Sequence, residues 1–317
     1  MMTFIISLWS QFHATLPLFI LIFVGYALIK IGKWPQTATD SLTRFTFSVS
    51  IPVMLFKMMS NFSEQDNIDY RLLYAFFGSC LIVFLIGRFI AKKCFKLDGV
   101  SGSVFSIAGV FSNNVLVGLP IAIVLLGPES VPCVALVLVF NTLILWTLVT
   151  VSVEWARVGQ FSLKGLTKIV IGLTKNPVII GIITGLLFNF SGLPMPEFID
   201  KPTSMISTMA APLSLLVLGM GLAEYRITDG LHISSVICFM KLLVQPLVVW
   251  LLALALGLPT LETNVVVLLG SMSIGINVYL MARKFDALKA PIASSLIIST
   301  VLSSVTTPLI LTIIALI

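Results

Sequence analysis

Helix-breaking residues near the start of the chain recur half a chain later at one fixed spacing. Each of the first set has a residue of the same type 160 positions further on: Pro17, Gly25, Gly32 and Pro52 correspond to Pro177, Gly185, Gly192 and Pro212. Matching breakers in two halves of an apolar chain are typical of a secondary transporter with internal repeats. We therefore expect a duplicated membrane protein, with a first repeat over 1–157 and a second over 158–317.

The composition fits a chain that crosses a membrane many times. Of 317 residues, 58% are hydrophobic and only 10% are charged, whereas soluble domains carry roughly 25% charged residues. Charged and Pro/Gly clusters divide the chain into segments near the length of about 20 residues that a membrane span needs. There are ten of them: 12–30, 39–60, 70–91, 101–126, 131–153, 170–190, 202–223, 231–256, 263–283 and 291–316. The prediction is an all-α polytopic membrane protein with ten transmembrane helices.

The second segment is the weakest of the ten, because Arg44 and Lys57 leave a short uncharged stretch between them. When 160 is added to its residue numbers, most of the second segment coincides with the seventh, which is a clear membrane span, and Pro52 coincides with Pro212. The repeat therefore supports a span here, with the two charged side chains reaching towards the interfaces.

The distribution of Lys and Arg predicts the orientation. Fifteen of the 19 lie in the odd-numbered connections, which the positive-inside rule places in the cytoplasm. Both termini are then extracytoplasmic, and five spans per half make the repeat inverted, a 5+5 arrangement. We expect an inner (plasma) membrane protein whose first span is retained, and the net charge of +6 requires no nucleic acid partner.

Groups for catalysis or metal binding are scarce. All 13 acidic residues fall near segment ends or in connections, so we expect no proton relay of buried carboxylates. The four cysteines, Cys80, Cys94, Cys133 and Cys238, lack metal-ligand spacing and are interpreted as small packing residues. The sequence indicates neither an enzyme nor a resident cofactor or metal.

Polar residues do occur in the middle of the fourth segment. Ser112, Asn113 and Asn114 lie at its centre, and Gly118 and Pro120 follow one to two turns later. Because Pro120 cannot donate a backbone hydrogen bond and obstructs the preceding turn, it frees carbonyls around residue 116. Such groups are tolerated in a bilayer only where they meet protein or line a cavity. The fourth segment is predicted to be a broken helix.

The ninth segment carries a similar centre, with Gly270, Ser273, Gly275 and Asn277. Two broken helices at matching depth and opposite direction would cross near the membrane midplane. Their half-helix N-termini, together with amides of Asn113, Asn114 and Asn277 and hydroxyls of Ser112 and Ser273, would form an anion site. The alternative is that these small and polar residues only let helices pack closely.

Three further features bear on the predicted site. Lys241 lies ten residues into the eighth segment, so it is a deep charge that needs a partner; it either balances a substrate or bonds freed carbonyls. Asn141 is a deep amide that binds substrate or links two helices. The Gly181 and Gly185 pair favours close helix packing over substrate contact.

Several of these motifs resemble the auxin efflux carrier family, whose bacterial members include malonate-type carriers. They are FSNNVLVGLPIAIVLLG, GINVYLMARKF, Lys241 followed by Pro246, and a proline in spans two and seven. The resemblance implies a fold like sodium/proton antiporters and bile-acid symporters, with spans 1, 2, 6 and 7 as scaffold and spans 3–5 and 8–10 as a moving core, in a homodimer. It also implies carboxylate binding at the crossing, with Asn113 and Asn277 as the crossover asparagines.

The chain departs from this pattern at Ser273, where the family commonly has proline, so the ninth segment would break at Gly270 and Gly275 alone. The functional hypothesis is a secondary transporter of small organic anions, mono- or dicarboxylates such as malonate or auxin-like acids, with an elevator-like movement. The alternatives are a sodium-coupled symporter of the bile-acid type and a non-cycling channel or sensor. The coupling ion, proton or sodium, is left open.

Overall fold

The computed structural model describes residues 2–60, 68–158, 175–227 and 230–315. Within these ranges the chain is helical and contains no strand, only one isolated β-bridge. The helices are α1 (Met2–Lys30), α2 (Gln36–Met59), α3 (Arg71–Lys93), α4 (Gly99–Ala108), α5 (Asn114–Leu126), α6 (Val131–Val158), α7 (Pro177–Phe190), α8 (Glu197–Leu222), α9 (Leu231–Ala255), α10 (Thr260–Ser271), α11 (Asn277–Phe285) and α12 (Lys289–Ala315). The predicted all-α class is confirmed for this part of the chain.

Seven of the described helices are long and apolar enough to cross a membrane, namely α1, α2, α3, α6, α8, α9 and α12. Each coincides with one predicted segment. The sixth segment was predicted to begin at residue 170, outside the described residues, and its described part is α7. The ten-span inverted arrangement and its repeat boundaries stay predictions.

The weak second segment forms a complete helix, α2. Lys57 near its end forms an ion pair with Asp200 of α8, and Arg44 is exposed. Of the two charges that made this span uncertain, Lys57 is thus neutralised by an ion pair and Arg44 lies at the protein surface.

The fourth and ninth segments are each interrupted. The fourth divides into α4 and α5 between Ala108 and Asn114, and the ninth divides into α10 and α11 between Ser271 and Asn277. Gly275 lies in the second interruption, and Gly270 is one residue before the end of α10. Gly118 and Pro120, in contrast, lie inside α5. The prediction placed the break of the fourth segment near Gly118 and Pro120. The observed interruption lies several residues upstream of them.

Proline is accommodated in these helices by widened turns. Pro52, Pro120 and Pro246 each follow a π-helical turn: Thr46–Ser50, Asn114–Gly118 and Met240–Val244. A proline lacks the N–H donor and its ring collides with the carbonyl four residues earlier, and a π turn relieves that collision by local widening. This explains why Pro120 bends the hydrogen-bond pattern of α5 without ending the helix.

Two helix pairs approach each other closely through glycine. A Cβ atom added to Gly181 would lie 2.5 Å from the Pro52 carbonyl oxygen, and one added to Gly185 would lie 2.6 Å from that of Phe56. The Gly181 and Gly185 pair of α7 thus packs directly on α2, as expected from its spacing. Gly25 of α1 and Gly219 of α8 form the second close contact. Helices α1, α2, α7 and α8 pack together as one group.

Three of the four cysteines are packing residues, since Cys80, Cys133 and Cys238 are buried. Cys94 is exposed at the end of α3, so its interpretation as a packing residue is wrong. It follows two lysines in the last turn of α3, where the helix leaves the apolar interior.

Candidate functional site

The two interruptions contact each other through the backbone. Asn113 N–H donates to the Ser273 carbonyl at 2.9 Å, and Gly275 N–H donates to the Phe111 carbonyl at 2.8 Å. These bonds form an antiparallel bridge between Ser112 and Ile274. Each broken helix therefore satisfies backbone groups that the other leaves unpaired.

Two helix N-termini begin at this bridge. Asn114 starts α5 and Asn277 starts α11. The first backbone donor inside α5 is Val117, whose N–H reaches the Asn113 carbonyl at 3.2 Å. The N–H groups of Asn114, Val115 and Leu116 precede that donor and have no acceptor within the helix. Both N-termini place the positive ends of helix dipoles at the meeting point.

A cavity of about 230 Å³ opens beside the two N-termini. Of the sequence-predicted candidates, it is lined by Ser112, Asn113, Asn114, Asn141 and Asn277. None of the lining residues that the structure describes carries a charged side chain. The structure thus brings five predicted residues from three helical segments into one neutral cavity.

The cavity also contains residues that the sequence reasoning missed, including Phe47, Thr142, Trp146, Asn176 and Ile179. Asn176 precedes Pro177, and its Oδ1 accepts a hydrogen bond from Val178 N–H at 3.0 Å, so it caps α7. Asparagine before an N1 proline is a recognisable cap signal, but it does not reveal that the residue faces a cavity. The walls supplied by α2 and α7 become visible only from the packing of those helices.

Several polar atoms in this region are buried and lack a hydrogen-bond partner among the described residues. They are the Nδ2 atoms of Asn113 and Asn114, the Oδ1 atoms of Asn114 and Asn141, and the Oγ atom of Ser112. Asn113 is 6% exposed and Asn114 is 1% exposed. Unsatisfied buried polar groups are rare and costly in proteins. Five such atoms thus lie around one cavity.

Lys241 does not line this cavity. It is fully buried, and its ammonium donates a hydrogen bond to the Gly270 carbonyl near the end of α10. A cation at a helix C-terminus compensates the negative dipole end. Of the two interpretations of Lys241, the structure shows the bond to a freed carbonyl.

Ser273 also lies outside the cavity lining, although its carbonyl forms the bridge to Asn113. Its hydroxyl is buried and has no partner among the described residues. The neighbouring Ile274 N–H donates to Ser299 Oγ of α12 at 3.1 Å, and Thr307 Oγ1 of α12 donates to the Ser271 carbonyl at 3.3 Å. Hydroxyls of α12 thus satisfy the interruption on the side away from the cavity.

The carbonyl that Pro120 was expected to free does find a partner. Ser214 Oγ of α8 donates to the Leu116 carbonyl at 3.1 Å. This bond ties the widened turn of α5 to the group of helices α1, α2, α7 and α8. In the described part of the chain, no group of three or more His, Cys, Asp or Glu side chains is arranged to hold a metal ion.

Known proteins resemble this chain along almost its whole length. The sequence is similar to an uncharacterized transporter of Methanocaldococcus jannaschii, 25% identical over 90% of this chain and 92% of the relative. It is 24% identical to a protein of Rhizobium meliloti named "Putative malonate transporter", over 92% of both chains. An uncharacterized transporter of Methanothermobacter thermautotrophicus is 23% identical over 94% of this chain and 96% of the relative.

A family described as "Membrane transport protein" matches residues 10–311, which include both interrupted helices and the cavity between them. The chain therefore belongs to this family of membrane transport proteins, the auxin efflux carrier family that its two crossover motifs resemble.

Proposed function

We propose that this transporter carries small organic anions and binds them in the cavity at the crossing of the two interrupted helices. The observation that supports this most directly is the pair of helix N-termini, at Asn114 and Asn277, beside a cavity without charged side chains. Free N–H groups and positive dipole ends favour an anion. A neutral cavity with such ends attracts one negative charge without a permanent ion pair.

The amide donors of the cavity suit a carboxylate group on the substrate. A carboxylate accepts hydrogen bonds from first-turn N–H groups and from the unpartnered Nδ2 atoms of Asn113 and Asn114. The apolar side chains of Phe47, Leu138 and Ile179 surround the rest of a small ligand. The substrates we propose are mono- or dicarboxylates such as malonate, or auxin-like acids, and the name of the Rhizobium relative supports the first of these.

The position of the cavity supports an elevator-like movement. Asn113, Asn114 and Asn277 belong to the crossing, whereas two of the apolar walls, Phe47 and Ile179, belong to α2 and α7. The cavity therefore lies between two groups of helices that could move relative to each other. We propose that α1, α2, α7 and α8 form the scaffold of a homodimer and that the other described helices form the moving core. The remaining features of the proposed topology are two inverted repeats and a multi-pass inner-membrane orientation with both termini extracytoplasmic.

A sodium-coupled symporter is the second candidate, because oxygen atoms cluster behind the crossing. The Ser271 and Thr307 hydroxyls, the Ser273 hydroxyl and the Gly270 carbonyl all lie there. The Lys241 ammonium already contacts the Gly270 carbonyl, which opposes the entry of another cation at that oxygen. Dependence of uptake on a sodium gradient, at constant voltage and pH, separates the two candidates.

The proposal is tested by uptake and counterflow of labelled malonate and other carboxylates into proteoliposomes, with Asn113→Ala and Asn277→Ala as variants. Asn264→Ala on α10, which is not among the cavity residues, is the matched control. We expect saturable flux in the wild type and control, and loss of flux in the two site variants while they remain folded. Retained uptake in both site variants refutes the assignment, and carboxylate binding without flux favours the sensor.

A further inference from the structure

A second cavity, of about 450 Å³, lies between the end of α3 and the start of α4. Two basic residues of α3, Arg88 and Lys92, line it together with Phe89, Asp98 and Gly102. It involves none of the residues that line the crossover cavity. Lys93 and Lys96 lie in the same stretch of chain without lining it, so the rim around it is basic.

The Arg88 guanidinium is held in place by bonds from one nitrogen. Its Nη1 donates to the Gly99 carbonyl at 2.5 Å and to Ser103 Oγ at 3.0 Å. A Cβ atom added to Gly102 would lie 2.9 Å from this nitrogen, so the missing side chain leaves room for the guanidinium. The other guanidinium nitrogens have no acceptor among the described residues. They remain available to an anion in a fixed orientation.

The carboxylate of Asp98 does not neutralise these cations by direct pairing. Its Oδ1 accepts from Val100 N–H at 2.8 Å and Ser101 N–H at 3.1 Å, and its Oδ2 accepts from Ser101 Oγ at 2.5 Å. Asp98 therefore caps α4. Arg88 and Lys92 form no ion pair within the described part of the chain, although Asp98 lies close enough to attract Arg88.

An exposed apolar stripe leads from this cavity along α3. It comprises Leu81, Ile82, Leu85, Ile86 and Phe89, which are 38–64% exposed. These residues recur at helical spacing on one face, and over eight residues they extend about 12 Å from the cavity. A basic cavity at one end of an exposed apolar stripe matches an amphipathic anion, with a charged head and hydrocarbon tails.

We propose that this cavity binds the phosphate headgroup of an anionic phospholipid, whose acyl chains lie along the apolar stripe of α3. Arg88 presents a fixed fork of donors and Lys92 a mobile charge, the two ways in which proteins hold phosphate. Basic pockets at the ends of membrane helices suit such headgroups. The apolar stripe favours a lipid over soluble phosphate, because only the lipid gains from both surfaces.

The purified full-length protein tests this in detergent micelles, by native mass spectrometry and thermal unfolding with three additions: phosphatidylglycerol, phosphatidylcholine and inorganic phosphate. We expect saturable binding and a raised unfolding temperature with phosphatidylglycerol only. A basic side chain in direct contact with the headgroup phosphate contributes a factor of about five in affinity, at the upper end for an exposed ion pair. Lys92→Gln should therefore weaken binding about five-fold, and Arg88→Gln with Lys92→Gln about thirty-fold.

The matched control is the double variant of Lys93→Gln and Lys96→Gln, which removes the same charge from the same stretch outside the cavity. The fold-loss in phosphatidylglycerol affinity should be at least five times smaller for this pair than for the cavity pair. Equal losses of affinity in the two double variants would show that binding depends on general surface charge and not on the cavity, and would overturn the proposal. An equal temperature shift with inorganic phosphate would overturn the lipid assignment. Lys92→Gln gives a result even if the Arg88 variant fails to fold.

Discussion

The contact between the two interrupted helices can be tested with a single methyl group at Gly275. Its N–H donates to the Phe111 carbonyl at 2.8 Å. A Cβ atom added to Gly275 would lie 2.9 Å from Cδ1 of Phe111 and 3.0 Å from the Ser112 carbonyl oxygen. The ring can rotate away from the methyl group, but the backbone oxygen belongs to the bridge. Gly275→Ala must therefore move one interruption relative to the other.

The change in the free energy of unfolding combines two destabilising contributions and one stabilising contribution. Overpacking of a dense interior costs about 1–3 kcal/mol, and weakening one bridge hydrogen bond costs about 0.5–1.5 kcal/mol. The lower backbone entropy of unfolded alanine returns about 0.4–1 kcal/mol. Together these terms should lower the free energy of unfolding by roughly 0.5–4 kcal/mol. At about 2 °C per kcal/mol for a chain of this size, the unfolding temperature should fall by roughly 1–8 °C.

The assay uses the buried thiols of Cys80, Cys133 and Cys238. Cys94 is exposed and would react in the folded protein, so all variants carry Cys94→Ser. A thiol-reactive fluorophore then labels the three buried thiols only when the protein unfolds, and the fluorescence reports the unfolding temperature in detergent. Gly221→Ala is the control, because its added Cβ would lie 3.9 Å from Cδ1 of Ile276, an ordinary contact. If Gly275→Ala unfolds at the same temperature as Gly221→Ala and transports at the wild-type rate, the two interruptions are not held together as described.

Three other substitutions test the packing and the charges. Lys241→Met should keep the unfolding temperature near that of the wild type, because the lost bond to the Gly270 carbonyl is offset by no longer burying an ammonium. Transport should fall about ten-fold as the Gly270 carbonyl loses its donor, and unchanged transport would contradict this role. Gly181→Ala should lower the unfolding temperature through its contact with the Pro52 carbonyl, whereas Gly78→Ala, 3.5 Å from Leu252, should not. Partial desolvation just after the end of α8, opposed by a hydrogen bond from Gln36 and reinforced by the charge of Asp40, raises the pKa of Glu224, so its neutral form is favoured in the fold. Glu224→Gln should therefore gain unfolding temperature over the wild type only as pH rises from about 4.3 through the folded pKa; an equal difference at every pH would show that charge is not the cause.

The sequence singles out the deep polar residues that line the cavity, for a physical reason. An amide in an apolar span is costly unless it has a partner or a ligand, so Asn113, Asn114, Asn141 and Asn277 stand out without knowledge of helix rotation. The walls contributed by Phe47, Trp146 and Ile179 do not stand out, because aromatic and aliphatic side chains are common on every face of a membrane helix. Their assignment requires the rotation and packing of α2, α6 and α7.

The positions of the helix interruptions are less predictable than their existence. Pro120 indicates a disturbed helix, and the Leu116 carbonyl does leave the regular pattern to accept from Ser214. A π turn accommodates the proline, so the actual interruption lies upstream, at Gly109–Asn113, where the backbone instead pairs with the other broken helix. Local sequence reveals the missing donor of proline, but long-range pairing decides where the helix ends.

The electrostatics of the crossing depend on which helix ends face which side. Helices α4 and α10 end at the crossing, and α5 and α11 begin there. On the far side, the Lys241 ammonium contacts the negative end of α10 and Thr307 donates to the Ser271 carbonyl. On the cavity side, the two N-termini each carry about half a positive charge. Together they offset about one negative charge, which matches a singly charged carboxylate under the proposed function. A site made of backbone dipoles keeps no charged side chain to be dehydrated when the cavity is empty, which is compatible with the elevator-like movement that we propose.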